Sequence, residues 1–325
     1  MSELPDGLTD FLDRAGWTGA SIDPIPGDAS FRRYFRIAEG DRHAMLMHAP
    51  PPHEDPQPFL DVAGWLTSHG LRAPGIFSSE AGEGWVLLED FGDDRMRDWL
   101  DVHPDGEHDA YAAAIDALVE LHAKSPGPFD PYDLAAYQRE TALLTEWYAP
   151  AAGLDVEVAG YETAWFAVLG PLIERQQPGV TVLRDYHAEN IMLLPGGQQG
   201  LIDFQDALVG HPAYDLVSLL QDARREVSHA LERTMLDRYI AATGVDRETF
   251  EADYARLGAQ RNAKIVGIFT RLCKRDGKPR YLDMIPRVWA AMERDLAHPA
   301  LAPVAAWFDA NIPADLRAAG GGKLA

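Results

Sequence analysis

One cysteine, Cys273, occurs in 325 residues. An internal disulfide and a Cys/His zinc cluster are therefore both excluded, and the lone thiol fits a reducing compartment. No lysine precedes Lys124, so the first third of the chain must draw its cations from Arg and His. Neither G-x-x-x-x-G-K-[ST] nor G-x-G-x-x-G is present, which removes two common glycine-rich phosphate loops. Long apolar runs are also missing. The longest, Ala164 to Ile173, is too short to span a bilayer. The first basic residue is Arg14, and no apolar stretch follows the start, so a signal peptide is not expected. These features predict a cytoplasmic protein with no membrane partner. Positive charge is scarce: 29 Lys and Arg against 51 Asp and Glu give a net charge of −22. That balance argues against nucleic acid, whose phosphates reward Lys and Arg. Hydrophobic residues at 46% and charged residues at 25% are enough for a sizeable core. The length suits one large domain or two.

The chemistry concentrates between residues 180 and 206. Val180 to Leu183 is a short apolar, β-branched run and predicts a buried strand. Ile191 to Leu194 and Leu201 to Phe204 predict two more, joined as a hairpin through Pro195-Gly196-Gly197. Asp185 and Asn190 then sit on the loop between strands, and Asp203 sits at a strand end. Such a return gathers three polar side chains, as a metal–phosphate site requires. One Asp accepts the proton of an attacking hydroxyl, while an Asn and a second Asp hold Mg²⁺ against nucleotide phosphates.

Asp185-x-x-x-x-Asn190 and Asp203-Phe204 resemble the catalytic and metal loops of the protein-kinase-like superfamily. Leu183 stands where protein kinases carry His, and Gln205 where they carry Gly. With His187 two residues after Asp185, both departures resemble the aminoglycoside phosphotransferase branch, which phosphorylates small molecules. The resemblance implies an α+β, two-lobed, protein-kinase-like fold. A small β-rich lobe over residues 1–91 would cover the nucleotide phosphates. A larger helical lobe over 92–325 would carry the catalytic loop, the metal loop and the substrate site. It also implies ATP and Mg²⁺ as cofactors, Asp185 as the catalytic base, and Asn190 and Asp203 as metal ligands. His187 and Asp215 are expected behind them, with Asp215 bracing the catalytic loop from the start of a buried helix.

In the first lobe, Thr9 to Gly16 predicts a short helix, and Phe31 to Ile37 and His43 to His48 predict two strands. The small-residue turn before them, with Ser30 and Arg32 or Arg33 beside it, fits either a cover over nucleotide phosphates or a plain surface hairpin. Protein kinases place a Lys on the third strand to hold phosphates. Here Met45, Met47 or His48 occupies that region, which leaves Arg32 or Arg33, or the metal, to supply the charge. Phe59 to His69 predicts a helix with Phe59, Val62, Ala63 and Leu66 on one face. Trp85 to Leu88 predicts a buried strand. The Asp90-Phe91-Gly92 that follows lies ninety-five residues before Asp185, on the wrong side of the catalytic loop for a metal motif. By position it resembles the interlobe linker, where backbone groups of Leu88, Glu89 and Asp90 would meet the adenine edge.

The remainder predicts helices, at Asp109 to Lys124, Tyr137 to Tyr148, Tyr161 to Gln176, Tyr281 to Leu296 and Pro299 to Ala310. His122 is expected to be packed rather than a ligand. Arg256 to Arg280 holds eight basic residues and one acidic residue, Asp276. Its helical spacing puts Arg261, Lys264, Arg271 and Arg275 on one face, either as a solvated basic face neutralising acidic neighbours or as an anion-binding wall. Within the branch, the runs at 28–36, 202–207 and 267–278 are similar to the cell-wall-recycling anomeric sugar kinases, which phosphorylate N-acetylmuramate and N-acetylglucosamine at C1. That similarity implies a sugar substrate, with Asp206, Lys264 and Arg271 as its contacts. An aminoglycoside or choline-like amine kinase, or an inactive nucleotide-binding module, stays open as an alternative.

Overall fold

The computed structural model describes residues 4–26, 31–322 and 324. The chain divides into two compact units. Unit 1 is Met1–Trp99 with Glu189–Asp206, and unit 2 is Leu100–Ala188 with Ala207–Ala325. The loop that carries Asn190 and Asp203 thus belongs to the first unit, and the two-lobe division at residue 91 takes no account of that excursion.

Unit 1 is built on an antiparallel sheet of β1 (Ser21–Ile25), β2 (Arg33–Glu39), β3 (Arg42–His48), β4 (Ile76–Glu80) and β5 (Trp85–Leu88), in the order β1-β2-β3-β5-β4. Alternation decides which faces are buried. Phe35 and Ile37 of β2 and Ala44 and Leu46 of β3 point to one core, with Leu87 of β5 and with Leu8, Phe11 and Leu12 of the helix Leu8–Arg14. Two strands escape the sequence patterns. β1 contains Pro24, which an edge strand tolerates, and β4 leaves Ile76 and Phe77 exposed. The helix Gln57–Ser68 buries Phe59, Val62, Ala63 and Leu66, the expected face.

The short strands β6 (Val180–Val182), β7 (Ile191–Leu193), β8 (Gln199–Leu201) and β9 (Leu208–Gly210) form two ribbons, β6 with β9 in unit 2 and β7 with β8 in unit 1. Gly196 and Gly197, both at φ +81°, make the β7–β8 turn. β8 ends at Leu201, so Asp203 lies two residues past the strand rather than at its end.

Unit 2 surrounds the helix Arg247–Lys274, 28 residues long. Asp246 caps it, accepting from the Thr249 N–H at 3.0 Å. Gly277, at φ +66°, closes it with its N–H on the Cys273 carbonyl. Leu257 to Ala263 is buried without a break, so this helix is central, with no solvated stripe along that stretch. A Cβ on Gly267 would stand 2.4 Å from the Leu143 backbone. Only glycine lets the helix Leu134–Leu143 come so close. The expected Tyr137 to Tyr148 helix resolves into Leu134–Leu143 and a π-helical turn, Leu144–Tyr148. His122 is partly buried and bonded through Nδ1 to the Tyr239 hydroxyl at 2.8 Å. No helix among the described residues is long and apolar enough to cross a membrane.

Candidate active site

In unit 1 the hairpin brings Asn190 to Asp203. The Ile202 N–H donates to the Asn190 carbonyl at 3.1 Å, which closes the ladder just before the turn to Asp203. Phe204 is buried and stacks on Phe59, 5.0 Å between ring centroids. With Phe204 anchored inward, Asp203 takes a left-handed backbone, φ 59°, and its side chain is exposed. Its Oδ2 is 3.3 Å from Asn190 Nδ2, and its Oδ1 accepts from Gln205 Nε2 at 3.0 Å. Gln205, the departure from Gly noted in the sequence, thus steadies Asp203 with an amide. Two hard oxygen-bearing side chains face each other. Mg²⁺ usually takes one or two protein carboxylates and leaves its other positions to phosphates and water. The pair fits that pattern. Among the described residues no cluster of three or more His, Cys, Asp or Glu could hold a metal.

Unit 1 also places the residues expected at the nucleotide. Arg32 Nε lies 3.3 Å from Glu54 Oε2, and both side chains are mostly buried. Tyr34, on β2 opposite Met47, feels the charges of Arg32 and Asp203, while burial pushes its hydroxyl pKa up. Its hydroxyl is 3.5 Å from Met47 Sδ. Arg33 is placed differently, with its guanidinium over the Phe35 ring at 5.2 Å. Ser30 lies outside the described residues. Leu88 ends β5. The Glu89 N–H is used by the Gly75 carbonyl at 2.8 Å, and its carboxylate by Arg72. Asp90 is closed by Arg36, whose Nε donates to Oδ2 at 2.7 Å.

In unit 2 Asp185 follows β6. Its side chain stays 47% exposed, with Arg261 Nη2 at 3.9 Å. Desolvation favours the neutral acid, but the charges of Lys264 and Arg261 outweigh it and hold the carboxyl below the usual range. Asp215 is fully buried in the first turn of the helix Ala213–Leu220. It accepts the N–H groups of Leu183 at 2.7 Å and Arg184 at 2.8 Å, so it holds the loop rather than its own helix. Burial pushes Asp215 up to about 7, against the pull of those two bonds. His187 is buried, with Nε2 3.2 Å from Arg224 Nη1, and burial lowers its pKa.

The two expected substrate contacts in unit 2, Lys264 and Arg271, are not gathered at one point. Lys264 is mostly buried, and its ammonium donates to Glu140 Oε1 at 2.9 Å and to the Tyr214 hydroxyl at 3.2 Å. Arg271 is two helical turns further on, about 10 Å along the axis, and partly buried. Asp206 is exposed in the turn after Phe204. The basic interval divides between inward-facing cations and cations paired with acidic neighbours. Arg261 and Lys264 face inward, Arg256 pairs with Asp253 at 2.7 Å and Arg275 with Asp276 at 2.6 Å. Sequence reasoning missed Glu140, Glu54 and Arg184. The sign that was available for Glu140 is an acidic residue three positions after Tyr137, on the buried side of its helix.

A β-sheet unit carrying a metal-type Asn–Asp pair, with a loop Asp five residues before the Asn, defines a protein-kinase-like phosphotransferase. Residues 21–260 match the phosphotransferase enzyme family, and the chain belongs to it. It is 36% identical to the N-acetylmuramate/N-acetylglucosamine kinase of Caulobacter vibrioides, over 97% of this chain and 99% of that protein. It is 38% identical to the protein of the same description from Pseudomonas aeruginosa, over 90% of each. Among solved structures it resembles a choline kinase from Streptococcus pneumoniae (TM-score 0.58, 14% identity, 90% of this chain and 98% of that one). It also resembles an ADP-bound aminoglycoside phosphotransferase (TM-score 0.63, 12% identity, 91% and 100%). At such identities these two show the fold alone.

Proposed function

We propose that the protein is an ATP- and Mg²⁺-dependent sugar kinase that phosphorylates the anomeric hydroxyl of N-acetylmuramate and N-acetylglucosamine, giving the sugar 1-phosphate. The observation that carries the sugar assignment is the likeness, across nearly the whole chain, to kinases described as acting on those two sugars. Asp185 accepts the acceptor proton. The anomeric hydroxyl is the most acidic of a sugar's hydroxyls, because the ring oxygen stabilises its anion, so it is the hydroxyl whose proton a carboxylate accepts most readily. Asn190 and Asp203 would hold Mg²⁺, which neutralises nucleotide phosphate charge when bound. Arg32, steadied by Glu54 and beside Tyr34, takes the place of the strand lysine. Its neighbour Tyr34 meets Met47 on β3, in the region where kinases carry that lysine. Backbone groups of Leu88 to Asp90 take the adenine edge.

An amine acceptor fits less well. Lys264, Arg261 and Arg184 all act on Asp185 as positive charges, and such a field repels a polycation. The test is incubation with ATP and Mg²⁺ against each sugar and against aminoglycosides. Phosphorus NMR should show an anomeric phosphate, with loss of the reducing end. Turnover of kanamycin-like amines and of neither sugar would sink this reading.

A further inference from the structure

Arg184, immediately before the proposed base, has φ +69°. A left-handed backbone suits glycine and costs a residue with a side chain. Arg184 and Asp203 are the non-glycine residues with positive φ among those described. Such conformations persist where the surroundings over-determine them, and Arg184 is tied through its N–H, its carbonyl and its Nη2. Its N–H donates to Asp215 at 2.8 Å, and its carbonyl accepts from the Ser218 hydroxyl at 3.1 Å. Its guanidinium donates from Nη2 to Glu140 Oε1 at 2.5 Å and lies over the Tyr132 ring, 5.4 Å from its centroid.

Glu140 is the fixed end of this clamp. Its side chain is 14% exposed. Oε1 also accepts from Lys264, and Oε2 accepts from the Tyr132 hydroxyl and from Gln260 Nε2 at 3.1 Å. Four donors therefore converge on one carboxylate: Arg184 from the loop, Gln260 and Lys264 from the helix Arg247–Lys274, and the Tyr132 hydroxyl. Burial opposes its ionisation, but the charges of Lys264 and Arg184 keep it below the ordinary range. The carboxylate does not touch Asp185. It touches the residue whose backbone sets the direction in which Asp185 leaves β6.

We propose that Glu140 is a positioning residue for phosphoryl transfer: by gripping the Arg184 side chain it stabilises the left-handed turn that aims the Asp185 carboxylate. This rests on the reading of Asp185 as the base. A glycine at 184 would adopt the turn unaided, so the clamp exists because the position carries a side chain.

The experiment compares Arg184→Gly with Arg184→Ala. Both remove the guanidinium, and only alanine must then be forced into the left-handed turn. The expected kcat is at least about fivefold higher for glycine, with equal KM for ATP. Glu140→Gln should lower kcat about tenfold in the wild type with KM for ATP unchanged, and by less than about twofold in the Arg184→Gly background. Alanine equal to or better than glycine, or an equal Glu140→Gln loss in both backgrounds, overturns the proposal. If Glu140→Gln does not fold, the glycine–alanine pair decides alone. Full activity in Asp185→Asn would instead refute the base assignment, which separates the two failures.

Discussion

The dipeptide Asp-Phe occurs three times in unit 1, and the copies at Asp90 and Asp203 have opposite fates. Asp90 meets a guanidinium: Arg36 donates to both of its oxygens and to Asp93 as well. Asp203 meets, among the described residues, the amides of Asn190 and Gln205, and the stacked Phe204 holds it in a left-handed turn. A carboxylate whose charge is matched inside the fold has structural work. A carboxylate offered only neutral donors is ready for a cation from outside. Asp253 and Asp185 in unit 2 extend the contrast. Asp253, almost completely buried, is met by Arg175, Arg256 and His211. Asp185 has Arg261 Nη2 at 3.9 Å and about half its side chain exposed.

The largest effect should come from Asp203→Ala. Mg²⁺-dependent ATP binding and turnover should both disappear, measured by calorimetry and by coupled assay, while Asp90→Ala changes turnover only modestly. The reverse result would exchange the roles of the two motifs. Next, Asp185→Asn keeps the shape and removes the basicity. Its kcat should fall by roughly 10²–10⁴ with ATP affinity nearly unchanged, and survival within about tenfold would break the distinction drawn for Asp185.

Arg32→Met should raise the Kd for ATP about tenfold, the loss of one charged hydrogen bond of about 1.5 kcal/mol. AMP binding should hardly change, because only the outer phosphates are lost to the arginine. Arg33→Met should stay within about twofold. Equal losses for AMP and ATP would remove the phosphate role.

The smallest effect concerns Asp253. Its neighbours bring its pKa down to about 2, with burial opposing and the His211 and Arg175 bonds prevailing. A depressed folded value stabilises above the unfolded value near 3.8 and loses that stabilisation as pH falls towards 2. Thermal melts should show Asp253→Asn less stable than wild type at pH 6 by about 2 kcal/mol, with the gap closing between pH 4 and 2. A gap that persists at pH 2 would mean the ion pairs are not its source.

By itself, the sequence determined the family and the local elements that carry the candidate residues. Asp185, Asn190 and Asp203 are legible because strand runs and a Pro-Gly-Gly turn are local signals, and a hairpin return follows from them. The order of the chain separated Asp203 from Asp90 for the same reason. The helix Gln57–Ser68 and strand Trp85–Leu88 were legible through apolar periodicity. Tertiary structure alone decided which charges are matched. Lys264 reads as a cation on an exposed helix face, yet it is mostly buried on Glu140, 124 residues away in the chain. Arg32 and Arg33 are adjacent, and only their surroundings separate the partner of Glu54 from the cap on Phe35. Local patterns arise from backbone periodicity, which neighbours in sequence share. Charge matching depends on distance through space, and here the partners come from helices far apart in sequence.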